Sequence, residues 1–202
     1  MKIISTFLMV IGVIGIIIIA AVLMGFILFS MDPPIKSQLS PTPVSADAVK
    51  SFDQKIVAFK QKIEAAAAAK ERREVNLTIT SEELNSKLVE LLAQGELPFK
   101  EAKINFDDNL CKMYSVFSNP GINAKIGLAA QLVASKGSLK MVVVDFQLGR
   151  LPLPKSMIKG VGNILDVMFR MEGITEDLAI DVTGVTISDE RLTIKGMTRL
   201  VK

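Results

Sequence analysis

INAKIGLAAQLVASKGSLKMVVVDFQL (122–148) decides the fold. In its first part every second residue is apolar: Ile122, Ala124, Ile126, Leu128, Ala130, Leu132 and Ala134. That period of two predicts a long strand with one buried face. Lys136-Gly137 reads as a turn, and residues 138–148 as the returning strand. There Met141, Val142, Val143 and Val144 are apolar at consecutive positions, which predicts cover on both faces.

The same alternation extends upstream. VNLTIT (75–80) alternates as a half-buried strand, and Thr80 with Glu83 makes a capping-box pair. Leu84, Leu88, Leu91 and Leu92 then mark an amphipathic helix stopped at Gly95. Ala102, Ile104 and Phe106 alternate before an Asp107-Asp108-Asn109 turn, 110–118 returns, and Asn119-Pro120-Gly121 turns again. Downstream, LPLP (151–154) breaks the sheet, with Pro154 suited to a first helical position. A helix over 155–169 carries Met157, Ile158, Val161, Ile164, Leu165, Met168 and Phe169, and strands near 177–183 and 191–200 close the chain. The class is α+β, with a long curved antiparallel sheet wrapped around two helices. The wide apolar arc of the second helix is either plain core or one wall of a hydrophobic groove.

The N-terminal part is different in kind. Ile3 to Met31 is 29 residues without a charge, 23 of them apolar. That exceeds the ~20 residues a bilayer core requires and the ~7–15 of a cleavable signal, so 1–31 reads as a transmembrane anchor in contact with lipid through 3–31. Lys2 precedes it and Asp32 follows, which puts the N-terminus in the cytoplasm and residues 32–202 outside. Residues 32–45 hold four of the eight prolines and read as an extended linker that lifts the domain from the bilayer. In 46–74, Val49, Phe52, Ile56, Phe59 and Ile63 form one helical stripe. This is a basic amphipathic stalk helix, with seven basic and three acidic side chains between Lys50 and Arg73. The charges fit either anionic headgroups or a solvated face opposite the stripe. Residues 75–202, with 15 basic and 15 acidic side chains, form the outer domain.

Chemistry is sparse. A chain of 202 residues with no histidine and one cysteine has no imidazole base, no His-based relay, no disulfide framework and no Cys/His metal site. Ser156–Lys159 matches a Ser-x-x-Lys pattern expected by chance in a chain with this much serine and lysine. Gly160-Val161-Gly162 sits in a helical pattern, not after a strand, so it is no nucleotide loop. Asp107-Asp108 suits turn geometry, Cys111 is a small hydrophobe, and Asp145 either reaches solvent or orients a polar headgroup. The neutral outer domain and scarce aromatics argue against nucleic acid.

LTITSEELNSKLVELL (77–92) and VVVDFQLGRLPLPKSMIKGVGNIL (142–165), in this order behind an N-terminal anchor, resemble the YpmS-like and LmeA-like bacterial membrane-anchored or exported proteins. Gly149, Leu151, Leu153 and Pro154 occupy the break those families place between strand and helix. The resemblance implies a TULIP-like, lipid-binding fold, no catalytic residue and no cofactor. It favours the groove, whose walls would be Leu84, Leu88, Leu91, Met141, Val143, Met157, Ile158, Val161, Ile164, Leu165 and Met168. The expectation is then a non-enzymatic binder of a lipid or other long apolar ligand; the alternative is a structural module of the cell envelope with a filled core.

Overall fold

A computed structural model describes the backbone of residues 2–119, 122–158, 160 and 179–199, with side chains in those ranges except at 2–13, 119 and 122. The elements in chain order are α1 (Lys2–Ser30), a 3₁₀ turn (Pro34–Gln38), α2 (Ala46–Ala68), β1 (Glu74–Thr80), α3 (Ser81–Ala93), β2 (Phe99–Asp107), β3 (Leu110–Asn119), β4 (Ile122–Ser135), β5 (Ser138–Leu148), β6 (Ile180–Ser188) and β7 (Arg191–Thr198). The class is α+β, with an N-terminal apolar helix and antiparallel sheets. Helix α1 is long and apolar enough to cross a membrane, and none of its most apolar window is buried.

The single long sheet expected from the pattern is divided. Among the described residues β2-β3-β4-β5 form one antiparallel meander, and β1-β7-β6 form a second sheet. β1 pairs with β7 along its whole length because α3 separates it from β2. The sheets meet at the β4–β5 hairpin, where Gly137 bridges Val182. Hairpin turns at Asp108-Asn109 and Asp189-Glu190 have paired positive φ, the backbone a two-residue hairpin requires.

The expected stalk is part of the domain. Ser45 caps α2 by accepting the Ala48 N–H, and the apolar stripe buries Phe59 and Ile63 against Val75, Ile180 and Val182. Fully burying side chains of this size contributes about 1.5–3 kcal/mol each. Residues 32–45 are likewise not a spacer: Pro33, Ile35 and Leu39 are buried, and the 3₁₀ turn packs on β3 and β4. The proline-fixed φ at Pro34 suits the first position of that turn, and Ile35 supplies an apolar side chain that proline content alone does not reveal.

A second expectation is corrected on β5. Val142 and Val144 are 40% and 52% exposed, so the second face of this strand is open at these positions, while Asp145 and Gln147 farther along are half-buried. It is the edge of its sheet, and Val144 is the extra residue of a bulge between the Ala129–Asp145 and Ala130–Val143 pairs. The helix after the LPLP break starts at Lys155, with Met157 N–H donating to Pro154 O at 2.9 Å. Its residues Val161, Ile164, Leu165, Met168 and Phe169 lie outside the described residues.

Candidate functional site

Paired residues of an antiparallel sheet point to the same face. The register of β2–β5 therefore sorts its side chains into two sets. On one face the rows run Phe106–Cys111–Ala130–Val143, Ile104–Met113–Leu128–Phe146 and Ala102–Ser115–Ile126–Leu148. Phe99–Phe117–Ala124 follows at the end. Ser115 is the single polar side chain in these rows. The two phenyl rings of Phe99 and Phe117 meet edge to face at 6.2 Å.

One end of this apolar face is closed by the other sheet. Phe106, Ile187 and Leu192 form a buried cluster, joined by Leu84, Ile104, Cys111 and Leu132. The structure thus brings Leu84 of α3 to the same face as Met141 and Val143, which pair with Leu132 and Ala130. Leu88 and Leu91 are half-buried on α3, Met157 is exposed and Ile158 half-buried. Four residues of the expected groove (Val161, Ile164, Leu165 and Met168) lie outside the described residues, as does Lys159 of the Ser-x-x-Lys pattern.

Helix α3 is set by the residues at its start. The Thr80 hydroxyl accepts the Glu83 N–H at 3.1 Å and the Glu83 carboxylate accepts the Thr80 N–H at 3.0 Å. Asn85 accepts the Ile104 N–H at 2.8 Å and donates to its carbonyl at 2.5 Å, while Ser81 Oγ accepts the Phe106 N–H at 3.0 Å. These side chains satisfy the free edge of β2, as another strand would. Glu83 also ties in α2: Ser51 Oγ donates to it at 2.5 Å and Lys55 Nζ lies 2.7 Å away. Burial pushes the Glu83 carboxyl up, but Lys55, Ser51 and the Thr80 N–H together outweigh it and hold it below the usual glutamate range.

The opposite face is polar, with rows Asn105–Lys112–Ala129–Asp145, Lys103–Tyr114–Gly127–Gln147 and Glu101–Val116–Lys125. It grips the chain leaving α1. Asp32 meets Lys125 at 2.8 Å and Lys36 at 3.0 Å and accepts from the Tyr114 hydroxyl at 3.3 Å. Lys36 lies 4.7 Å from the Tyr114 ring centroid. Gln147 accepts the Ile35 N–H at 3.0 Å and donates to Asp145 at 2.6 Å, so Asp145 positions Gln147. At Gly127 a Cβ would run into the Ile35 side chain, and only glycine leaves that space.

Of these residues only Asp145 was among the sequence candidates, and it bonds Gln147 rather than standing free in solvent. A glycine midway along a regular strand and the chain's single tyrosine were the available signals. Cys111 is half-buried, with its thiol pushed up to about 12 by burial, and it serves as a small apolar side chain. Asp107 and Asp108 both pair with Lys112, at 2.9 and 3.3 Å. Among the described residues no group of three His, Cys, Asp or Glu side chains is placed to hold a metal ion. No protein-family model matches the chain, and no curated protein matches it.

Proposed function

We propose that the protein is a single-pass membrane protein, with a cytoplasmic N-terminus, whose outer domain holds a lipid acyl chain or similar long apolar molecule. The observation that carries this reading is the one-sided sheet β2–β5, with apolar rows on one face and a grip on the anchor's exit on the other. An apolar face held beside the exit of a membrane helix is placed where lipid is the available apolar ligand. Each methylene transferred onto it gains about 0.8 kcal/mol. In this reading the sheet curves around the helix that starts at Lys155, in the TULIP-like manner that the sequence resemblance implies, and the chain is a binder rather than an enzyme. The absence of histidine supports that, since the commonest general base is missing.

The test uses the full chain in nanodiscs doped with a phospholipid carrying a diazirine in its acyl chain. After irradiation, adducts are mapped to peptides. Binding predicts adducts on β3 and β4, around Met113 and Ile126, in addition to α1. Adducts confined to α1 and the segment next to it overturn the reading, and the apolar rows are then a filled core of a structural module.

A further inference from the structure

The last turn of α1 is bonded to the end of β5. Arg150 N–H donates to Leu28 O at 2.7 Å, and Gly149 N–H donates to Lys125 O at 2.8 Å. Gly149 has φ +57°, and a Cβ there would meet the backbone carbonyls of Leu28 and Phe29. Only glycine permits both that backbone and that approach. The sheet therefore does not hang from a tether; it is seated on the helix itself.

The level of that seat matters. Leu28 lies four residues before Asp32, the first charge after the apolar run, which is about 6 Å along a helix axis. Exposed apolar side chains of α1 continue to Phe26 and Ile27, one residue before the bonded carbonyl. Amphipathic segments at a bilayer surface sit about 5–10 Å deep. With α1 spanning a bilayer whose surface lies at the level of Asp32, the backbone at Arg150 falls at that depth. Its side chain runs back toward the charged level, with Nε donating to Asp32 O at 3.2 Å, the posture of an arginine that snorkels out of lipid.

From that point the chain reads RLPLPKSMI (150–158), with basic Arg150 and Lys155 and no acidic residue. Pro152, Pro154 and Lys155 are exposed, and Met157 is 55% exposed. We propose that residues 150–158 make a second contact with the membrane, lying in the headgroup and upper acyl layer of the leaflet from which α1 emerges. The occupant of this exposed surface is the bilayer because the segment begins at Arg150, whose N–H is bonded to the anchor's last turn at Leu28 O. Leu151, Leu153 and Met157 supply apolar surface, and the two basic side chains face anionic headgroups. The proposal rests on α1 being a membrane anchor.

The experiment separates the two. Single cysteines Pro152→Cys and Met157→Cys are labelled with an NBD fluorophore in the full chain, reconstituted into phosphatidylcholine–phosphatidylglycerol vesicles. Ile17→Cys reports on α1, and Asn109→Cys on the β2–β3 hairpin. The unmutated protein is the blank, since the Cys111 thiol, raised to about 12, labels slowly at neutral pH. The expected result is blue-shifted, several-fold brighter emission at 152 and 157 than at 109, quenched by lipids spin-labelled high on the acyl chain. Aqueous emission at 152 and 157 with lipid-buried emission at 17 overturns the proposal and leaves the anchor standing. Aqueous emission at 17 overturns the anchor and the proposal with it.

Discussion

The two faces of the sheet β2–β5 are built from alternate residues of the same strands and do opposite work. One is apolar in every row but for Ser115, and is closed at one end by Ile187 and Leu192. The other carries Tyr114, Lys125 and Gln147 and holds the chain that leaves α1. The apolar face gains from area, so no single residue of it is specific. The polar face gains from a few bonded groups and one vacancy, at Gly127, into which Ile35 fits. Burial without direction and contact with direction are thus separated by the two-residue period of a strand.

The contrast predicts a ranking. Phe106, 1% exposed where the sheets meet, is the residue whose loss costs most. Phe106→Ala is expected to destabilise by about 3–5 kcal/mol, through lost transfer and the cavity left behind. Unfolding of the full chain in detergent by denaturant measures it, and protease resistance of residues 32–45 should be retained below the transition. Ile35→Ala, on the other face, costs about 2–4 kcal/mol by the same mechanism. It should differ in kind: residues 32–45 become cleavable under conditions in which β1–β7 stay protected. If both variants release the linker together, the two faces are one cooperative unit and the contrast fails.

The apolar face could be read from the sequence almost residue by residue, because alternation at 122–134 and 102–106 is the direct trace of a half-buried strand. The second face could not, because its partners are distant in sequence. Asp32 lies 93 positions from Lys125, and nothing local to either announces the pair. The prolines of 32–45 suggested an extended spacer, whereas Ile35 and Leu39, ordinary in that stretch, bury and fold it back. The division into two sheets was hidden for a similar reason: that β1 pairs with β7 is a long-range choice, and strand pattern gives faces but not partners. Gly127 was the legible exception. In a strand of regular alternation a glycine marks close approach by something, here the Ile35 side chain.

Glu83 gives the next effect in size and a pH dependence. It is buried at the junction of α2, α3 and β1, where it closes the capping box and accepts from Ser51 and Lys55. Glu83→Gln keeps the shape but loses the charge, and should cost about 1–3 kcal/mol. The folded-state pKa is lowered, so the unfolded chain takes up the proton first as acid is added. Its contribution is complete well above the ordinary glutamate value of ~4.3 and is lost as pH falls through the lowered folded value. A stability profile over that range should be steeper for the natural protein than for Glu83→Gln; equal slopes would show that Glu83 is not held as a bonded carboxylate. Because Glu83 belongs to neither face, this change should shift the unfolding of both without altering the order set by Phe106 and Ile35.

The smallest effect sharpens the comparison most. Ser115 stands in the middle of the apolar rows, 1% exposed, and its Oγ has no hydrogen-bond partner among the described residues. A buried hydroxyl without a partner has given up water for nothing, and the penalty falls on the folded state alone. Replacing it with alanine removes that penalty and leaves a void of one oxygen, too small to cost much packing. Ser115→Ala is therefore expected to be neutral or to stabilise by up to about 1 kcal/mol. An equivalent hydroxyl deletion on the other face, Tyr114→Phe, should be unfavourable by about 1 kcal/mol, since that hydroxyl donates to Asp32. The opposite signs of two single-oxygen deletions on adjacent residues of β3 would state the difference between the faces in its simplest form. A loss at Ser115 as large as that at Tyr114 would mean that the apolar face holds a directed contact of its own.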